Sequence, residues 1–156
     1  MKYPDSQMSF MPININLTGK EILIIGGGKV ALQKIKRISS YTKNIRIVSK
    51  EVSEEIKGLG FSYTEKEYET SYLGNCFMVY ACTDVKDLNQ QIYEDAHVHG
   101  ILANVADNPP MSDFVSPAVY KEGHMTVAVG SNGQDIKESI RWRDRIKKYL
   151  MDNPVD

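Results

Sequence analysis

The residues Gly26-Gly27-Gly28-Lys29-Val30-Ala31 have the composition of a diphosphate site. They fit G-x-G-x-x-A, set directly after a short apolar run and at the start of a helical pattern, the context that makes this motif informative. Gly26 permits a tight turn, Gly28 lets the backbone approach a pyrophosphate with no Cβ in the way, and Ala31 is small enough for close packing of helix on strand. Phosphates would meet free N–H groups and the positive end of the helix dipole, an attraction of roughly 0.3–2 kcal/mol. A dinucleotide is the expected ligand, against a glycine turn that merely joins strand to helix. The next strand ends Val48-Ser49-Lys50-Glu51, without an aspartate at its tip for the adenine ribose. Glu51 could stand in for it and Lys50 could accept a 2′-phosphate, so charge leaves NAD and NADP both open; NAD is the cofactor expected here.

Further polar groups stand where strands should end. Thr83-Asp84 and Asp107 both close apolar runs, at the carboxyl ends that border the crevice of an open α/β sheet, so Thr83 and Asp84 are expected beside the cofactor. The alternatives are an N-cap for Asp84 and a turn residue before Asn108-Pro109 for Asp107. His97 and His99 are two apart and point to opposite sides of a helix, and His124 follows a turn glycine, so no metal site is expected and the histidines read as surface or capping groups. Cys76 and Cys82 lie on or beside one apolar stretch and read as buried, reduced core residues in a reducing cytoplasm.

The elements that must position these groups follow from pattern. Glu21–Gly26 and Cys76–Cys82 are continuous apolar runs of the kind buried on both faces of a parallel sheet. Ile45–Ser49, Phe61–Glu65 and Ile101–Val105 complete five strands, with helices over Lys29–Ser39, Glu51–Gly58 and Asp87–Gly100. Alternation of this kind predicts right-handed βαβ crossovers and a Rossmann-like, doubly wound parallel sheet over residues 1–110. Beyond Asp107-Asn-Pro-Pro110 the pattern changes. Phe114–Tyr120 and Met125–Val129 flank the turn-like Lys121-Glu-Gly123 as a hairpin, and a last helix starts near Asp135, whose side chain and Glu138 form a capping box. Ile136, Ile140, Ile146 and Leu150 give that helix an apolar stripe, and the last four residues are expected to fray.

With 156 residues and a formal charge of −1, the chain offers no field to draw it to nucleic acid or an anionic membrane. No apolar run approaches the roughly 20 residues of a membrane span, and Met1–Met11 lacks the form of a secretory signal. A soluble cytoplasmic protein is expected.

Taken in order, Gly26–Ala31, Ala81-Cys-Thr-Asp84, Asn89, Asn104-Val-Ala-Asp107, Phe114–Pro117 and Val127-Ala-Val129 resemble the precorrin-2 dehydrogenases and the dehydrogenase-chelatase portion of siroheme synthases, over about residues 11–150. The resemblance implies NAD-dependent oxidation of precorrin-2 to sirohydrochlorin in siroheme biosynthesis, with ferrous iron insertion as a further activity of some members. It implies that Asp107 is catalytic, that Ser131 and Asn104 lie on the substrate, and that Lys29, Val30, Lys50 and Glu51 sit beside the cofactor with the three glycines. It also implies a homodimer held by residues 111–156. The chemistry suits Asp107: oxidation moves a hydride to nicotinamide and a ring proton to a base, and Asp84 is the reserve candidate. Because precorrin-2 carries eight carboxylates, Lys137, Arg141, Arg143, Arg145, Lys147 and Lys148 on the last helix are candidates for collecting its charge, or else a solvated basic face.

Many members continue into a further helical domain, whereas this sequence ends at Asp156, and Asn132-Gly-Gln-Asp-Ile-Lys-Glu138 replaces the expected Ser-Pro-x-x-Ala run. A noncatalytic NAD- or tetrapyrrole-binding module is the alternative to the enzyme, and a structural dimer keeping only the fold is the third class.

Overall fold

The structure is a computed structural model and describes residues 8–154. The readings of Met1–Met11 and of the last four residues lie partly outside them. The chain divides into two compact units, Asn14–Phe114 and Val115–Asp156 together with the segment up to Ile13.

In the first unit, β1 (Ile22–Ile25), β2 (Ile45–Ser49), β3 (Ser62–Glu65), β4 (Met78–Ala81) and β5 (Leu102–Val105) form one parallel sheet in the order β3-β2-β1-β4-β5. This is the Rossmann-like arrangement, and β1 and β4 at its centre are buried along their whole length, as continuous apolar runs require. One face carries Ile22, Ile24, Ile45, Ile47, Met78 and Tyr80 against Ala31, Leu32, Ile35 and Ile38 of α1 (Lys29–Ile38). The other carries Leu23, Ile25, Val48, Val79, Ala103 and Val105 against Ile92 and Ala96 of α3 (Lys86–Val98). Full burial of an Ile or Leu side chain stabilises by ~1.5–3 kcal/mol, so these two layers dominate the unit's stability. Between β2 and β3, the short α2 (Glu54–Lys57) is shorter than the Glu51–Gly58 expected, because Ser53 caps it by accepting the Ile56 N–H. Strand β3 is an edge, and its exposed polar residues suit that place.

The sequence placed the end of the sheet domain near residue 110. The segment through Phe114 instead stays with β5, since Asp113 accepts the Ala103 N–H at 2.8 Å, returns its own N–H to the Ala103 carbonyl at 2.9 Å, and Ser112 accepts the Val105 N–H at 3.0 Å. His97 completes this clamp. Its Nδ1 faces the Tyr93 carbonyl at 2.9 Å and its Nε2 faces Asp113 at 3.0 Å, two acceptors that only the imidazolium satisfies with two N–H groups. The Tyr93 carbonyl first, and then Asp113, raise the His97 pKa above 6.5 despite partial burial. A raised folded-state pKa stabilises fully below the unfolded value and is lost as pH rises through the folded one. Thermal unfolding is therefore expected to show a pH-dependent contribution that falls from pH 6 towards pH 8 and is removed by His97→Ala; an unchanged pH profile in the variant would refute the clamp.

The second unit pairs β6 (Ala118–Glu122) with β7 (Met125–Val129) antiparallel through a two-residue turn, Gly123-His124, with Gly123 at φ +56°. The first arm begins four residues later than expected, at Ala118, immediately beyond Pro117, which has no N–H to give a ladder. Helix α4 (Ile136–Asp152) is capped by Asp135, whose side chain accepts the Glu138 N–H at 2.8 Å. The reciprocal half of the expected box is replaced, because the Asp135 N–H goes to the Ser131 hydroxyl at 2.9 Å. The covered side of α4 runs through Ser139, Ile140, Arg143, Ile146 and Leu150. Ile136 has the right azimuth but precedes this stretch and stays 62% exposed, as does Trp142 at 58%. Asn132, at φ +57°, accepts the Phe10 N–H at 2.6 Å and donates to the Met8 carbonyl.

Candidate functional site

At the switch point of the sheet, where the chain order reverses between β1 and β4, the three glycines have different reasons to be glycine. Gly26 stands at φ +132°, and a Cβ there would lie 2.5 Å from the Cys82 carbonyl oxygen. A Cβ on Gly27 would lie 1.9 Å from the Glu51 carbonyl oxygen, because the chain leaving β2 crosses it and the Ser53 N–H bonds its carbonyl at 3.0 Å. Gly28 is unlike either: its φ of −98° suits any residue, and a Cβ there would meet nothing within 4 Å. The fold does not require a glycine at this position. Gly28 is also the N-cap of α1, without a side-chain cap or an acidic residue in the first turn, so among the described residues no carboxylate or hydroxyl caps the first N–H groups of the helix. Lys29 is exposed there, while Val30 is half-buried against the core. An uncapped helix N-terminus beneath a bare backbone fits a pyrophosphate.

The tip of β2 is crowded with carboxylates. Lys50 is paired with Glu67 at 2.8 Å, both well exposed, and Glu65 accepts the Val52 N–H at 3.1 Å and pairs with Lys57 at 3.1 Å. Glu51 is exposed beside them. The Val52 N–H holds the Glu65 carboxyl below its ordinary range, helped by Lys57.

After β4, Asn89 clamps the turn: its Oδ1 accepts the Thr83 N–H at 3.2 Å and the Thr83 hydroxyl at 2.7 Å, and its Nδ2 donates to the Thr83 carbonyl at 2.9 Å. The sequence showed Asn89 only within a motif; its work is to shape this turn. Asp84 is exposed, and it is not the N-cap of α3, a position taken by Val85 without a side-chain bond. Among the described residues, nothing in the fold commits the Asp84 carboxylate.

Asp107 follows β5 at φ +59°, left-handed backbone that aspartate tolerates better than most residues. It is exposed, and its charge is felt by both Lys34 of α1 and Cys82 of β4's end. Helical periodicity alone would put Lys34, with Lys36 and Arg37, on the solvent side of α1. Instead its stem is half-buried, its Nζ is 5.7 Å from the centre of the Tyr80 ring, and burial lowers its pKa. The helical pattern marks the buried Ile35 beside it, but only the tertiary fold reveals which lysine lies over the Tyr80 ring. Burial pushes the Cys82 thiol up to about 12 and the Cys76 thiol up to about 11, so both stay protonated. Asn104, register partner of Tyr80, is 4% exposed; its Nδ2 donates to the Phe114 carbonyl at 2.8 Å, and its Oδ1 has no partner among the described residues.

Gly26, Gly27, Gly28, Lys29, Thr83, Asp84, Asn104 and Asp107 therefore all belong to the carboxyl end of the sheet unit, with Lys50 and Glu51 beyond β2. A hollow of about 470 Å³ in the same unit lies at the opposite, amino end, among Lys20, Asn75, Phe77 and His99, away from these groups. Ser131 belongs to the other unit, where it lines a hollow of about 280 Å³ with Gln134, Asp135, Glu138 and Trp142. Of the basic residues on α4, Arg143 pairs with Asp144 at 2.7 Å and Lys147 lies over the Tyr120 ring. Among the described residues no three His, Cys, Asp or Glu side chains gather as a metal set, and no helix is long and apolar enough to cross a membrane.

A model of the family NAD_binding_7, described as "Putative NAD(P)-binding", matches residues 13–118. Among curated relatives, a siroheme synthase of Azotobacter vinelandii is 29% identical over 147 residues, covering 92% of this chain and 32% of that protein. Siroheme synthase 1 of Aeromonas salmonicida is 32% identical over 147 residues, covering 92% and 31%. The chain thus spans about a third of the length of the relatives it matches. Among solved structures, SirC, a precorrin-2 dehydrogenase, superposes with a TM-score of 0.71 at 23% identity, covering 94% of this chain and 71% of that one, which agrees in fold. With more than half of its length matched, the chain belongs to this NAD(P)-binding family, as a relative of the siroheme synthases that its motifs resemble.

Proposed function

We propose that the chain is a cytoplasmic, homodimeric, NAD-dependent precorrin-2 dehydrogenase of siroheme biosynthesis. The observation that carries this is Gly28, a glycine the fold does not need, at the uncapped start of α1. It is supported by the siroheme synthase relatives and by the fold shared with a precorrin-2 dehydrogenase. In this reading the first-turn N–H groups of α1, with Gly26, Gly27, Lys29 and Val30, hold the pyrophosphate, and Thr83 and Asp84 border the cofactor. When bound, the nicotinamide supplies a hydride acceptor. Asp107 takes the proton lost from the macrocycle, and Asn104 and Ser131 contact the substrate. The carboxylates Glu51, Glu65 and Glu67 around β2's tip repel a 2′-phosphate, and Lys50 is already paired with Glu67, which favours NAD over NADP. Residues 111–156 form the dimer contact in this reading, in keeping with the exposed Trp142, Tyr149 and Met151 on α4.

The test is anaerobic mixing of the protein, precorrin-2 and NAD, read as NADH absorbance. Stoichiometric NADH is expected, with NADP at least about tenfold weaker in calorimetry, 1.4 kcal/mol. A protein that binds NAD but yields no NADH would instead be a binding module. Ferrous iron added as co-substrate to the same mixture reads the iron insertion implied by resemblance, as the siroheme spectrum.

A further inference from the structure

Lys34 goes beyond this assignment, although it rests on the same site. Lys34 is half-buried, its Nζ 5.7 Å from the centre of the Tyr80 ring, with the Cys82 thiol and Asp107 within electrostatic reach and Arg37 of its own helix repelling it. No carboxylate lies within ion-pair distance of it among the described residues. A half-buried ammonium with an aromatic ring but no paired carboxylate among the described residues is costly, which points to an anion that arrives from outside. Nearby, the Tyr80 ring meets Phe114 edge-on at 5.3 Å, and Asn104, on the same sheet face as Tyr80, keeps a buried acceptor with no partner among the described residues. The amide orientation there is settled, because Nδ2 must donate to the Phe114 carbonyl.

This corner therefore offers one cation in want of an anion and one acceptor in want of a donor, beside an aromatic wall. The cofactor's anionic groups have their own place, at the start of α1. A tetrapyrrole carries both missing pieces, carboxylates on its rim and N–H groups in its ring, whereas the nicotinamide end of the cofactor carries no anion. We propose that Lys34 is a substrate-positioning residue, its ammonium binding a carboxylate of the tetrapyrrole and so setting the macrocycle beside Asp107. Lysine acts here as a point charge on a flexible stem, as a carboxylate without fixed bidentate geometry requires.

The experiment compares Lys34→Met, which keeps the stem and removes the charge, with Lys34→Arg. The measurements are kcat and the KM for precorrin-2, tetrapyrrole binding without cofactor by absorbance titration, NAD affinity by calorimetry, and thermal unfolding. Lys34→Met is expected to raise the precorrin-2 KM and the tetrapyrrole Kd about tenfold, 1.4 kcal/mol, and to flatten their dependence on salt. NAD affinity should stay unchanged, Tm should hold or rise, and Lys34→Arg should restore most of the binding. Unchanged tetrapyrrole binding in Lys34→Met, or weakened NAD binding in its place, overturns the proposal, as does a kcat loss that tracks a lower Tm. Should the wild type bind the tetrapyrrole through Lys34 yet produce no NADH, the dehydrogenase reading falls and this inference stands. Should it oxidise precorrin-2 with Lys34→Met unaltered, the reverse holds. No tetrapyrrole binding by the wild type removes both.

Discussion

Replacing Asp107 with asparagine is expected to lower turnover roughly 10²- to 10⁴-fold, the usual contribution of a positioned general base. Asparagine is the informative substitution because Asp107 stands at φ +59°. Alanine at that backbone would add roughly 1–2 kcal/mol of strain and confuse a chemical loss with a misplaced loop, whereas asparagine tolerates left-handed backbone as aspartate does. The carboxylate is the one thing removed. NAD affinity in calorimetry and Tm should be unchanged, since Asp107 is exposed and makes no bond that holds the 107–114 segment, which is pinned by Ser112 and Asp113. Turnover that survives this change would transfer the base to another group, with Asp84 the first to examine.

The glycine loop should separate stability from binding at neighbouring positions. Gly27→Ala places a methyl 1.9 Å from the Glu51 carbonyl oxygen, backbone against backbone, with no flexible side chain to yield. A loss of several kcal/mol in chemical denaturation is expected, toward the large end of single substitutions, ~4 kcal/mol. Gly28→Ala puts the same methyl into open space at an ordinary φ, so its stability should change by no more than about 0.5 kcal/mol. Its NAD affinity should nonetheless fall at least about tenfold, 1.4 kcal/mol, because that methyl occupies the path by which a pyrophosphate reaches the N–H groups. Equal NAD affinity in Gly28→Ala and wild type would remove the cofactor from the start of α1 and with it the proposed function.

Both expectations begin from residues visible in the chain alone, but they became distinct only in three dimensions. G-x-G-x-x-A treats its middle position as free, yet of the three glycines Gly27 is the most tightly enclosed, because the segment after β2 crosses it from 24 positions away. Sequence spacing carries no information about that crossing. Asn89 and Lys34 show the same limit. An asparagine one turn into a helix and a lysine among basic neighbours look solvated in a periodic pattern. Their neighbours, Thr83 for one and Tyr80, Cys82 and Asp107 for the other, come from separate strands and loops.

The five strands, the helices that cross over them and the terminal hairpin and helix were legible from the sequence, because buried parallel strands must be apolar throughout and amphipathic helices must repeat near every 3.6 residues. Those are local consequences of burial, written residue by residue. What tertiary structure alone decided was which glycines the backbone requires and which it does not, that residues as far as Phe114 stay with the sheet, and that a lysine of α1 lies over the Tyr80 ring of β4. Each depends on contacts between segments distant in the chain, and such contacts leave no period in the sequence.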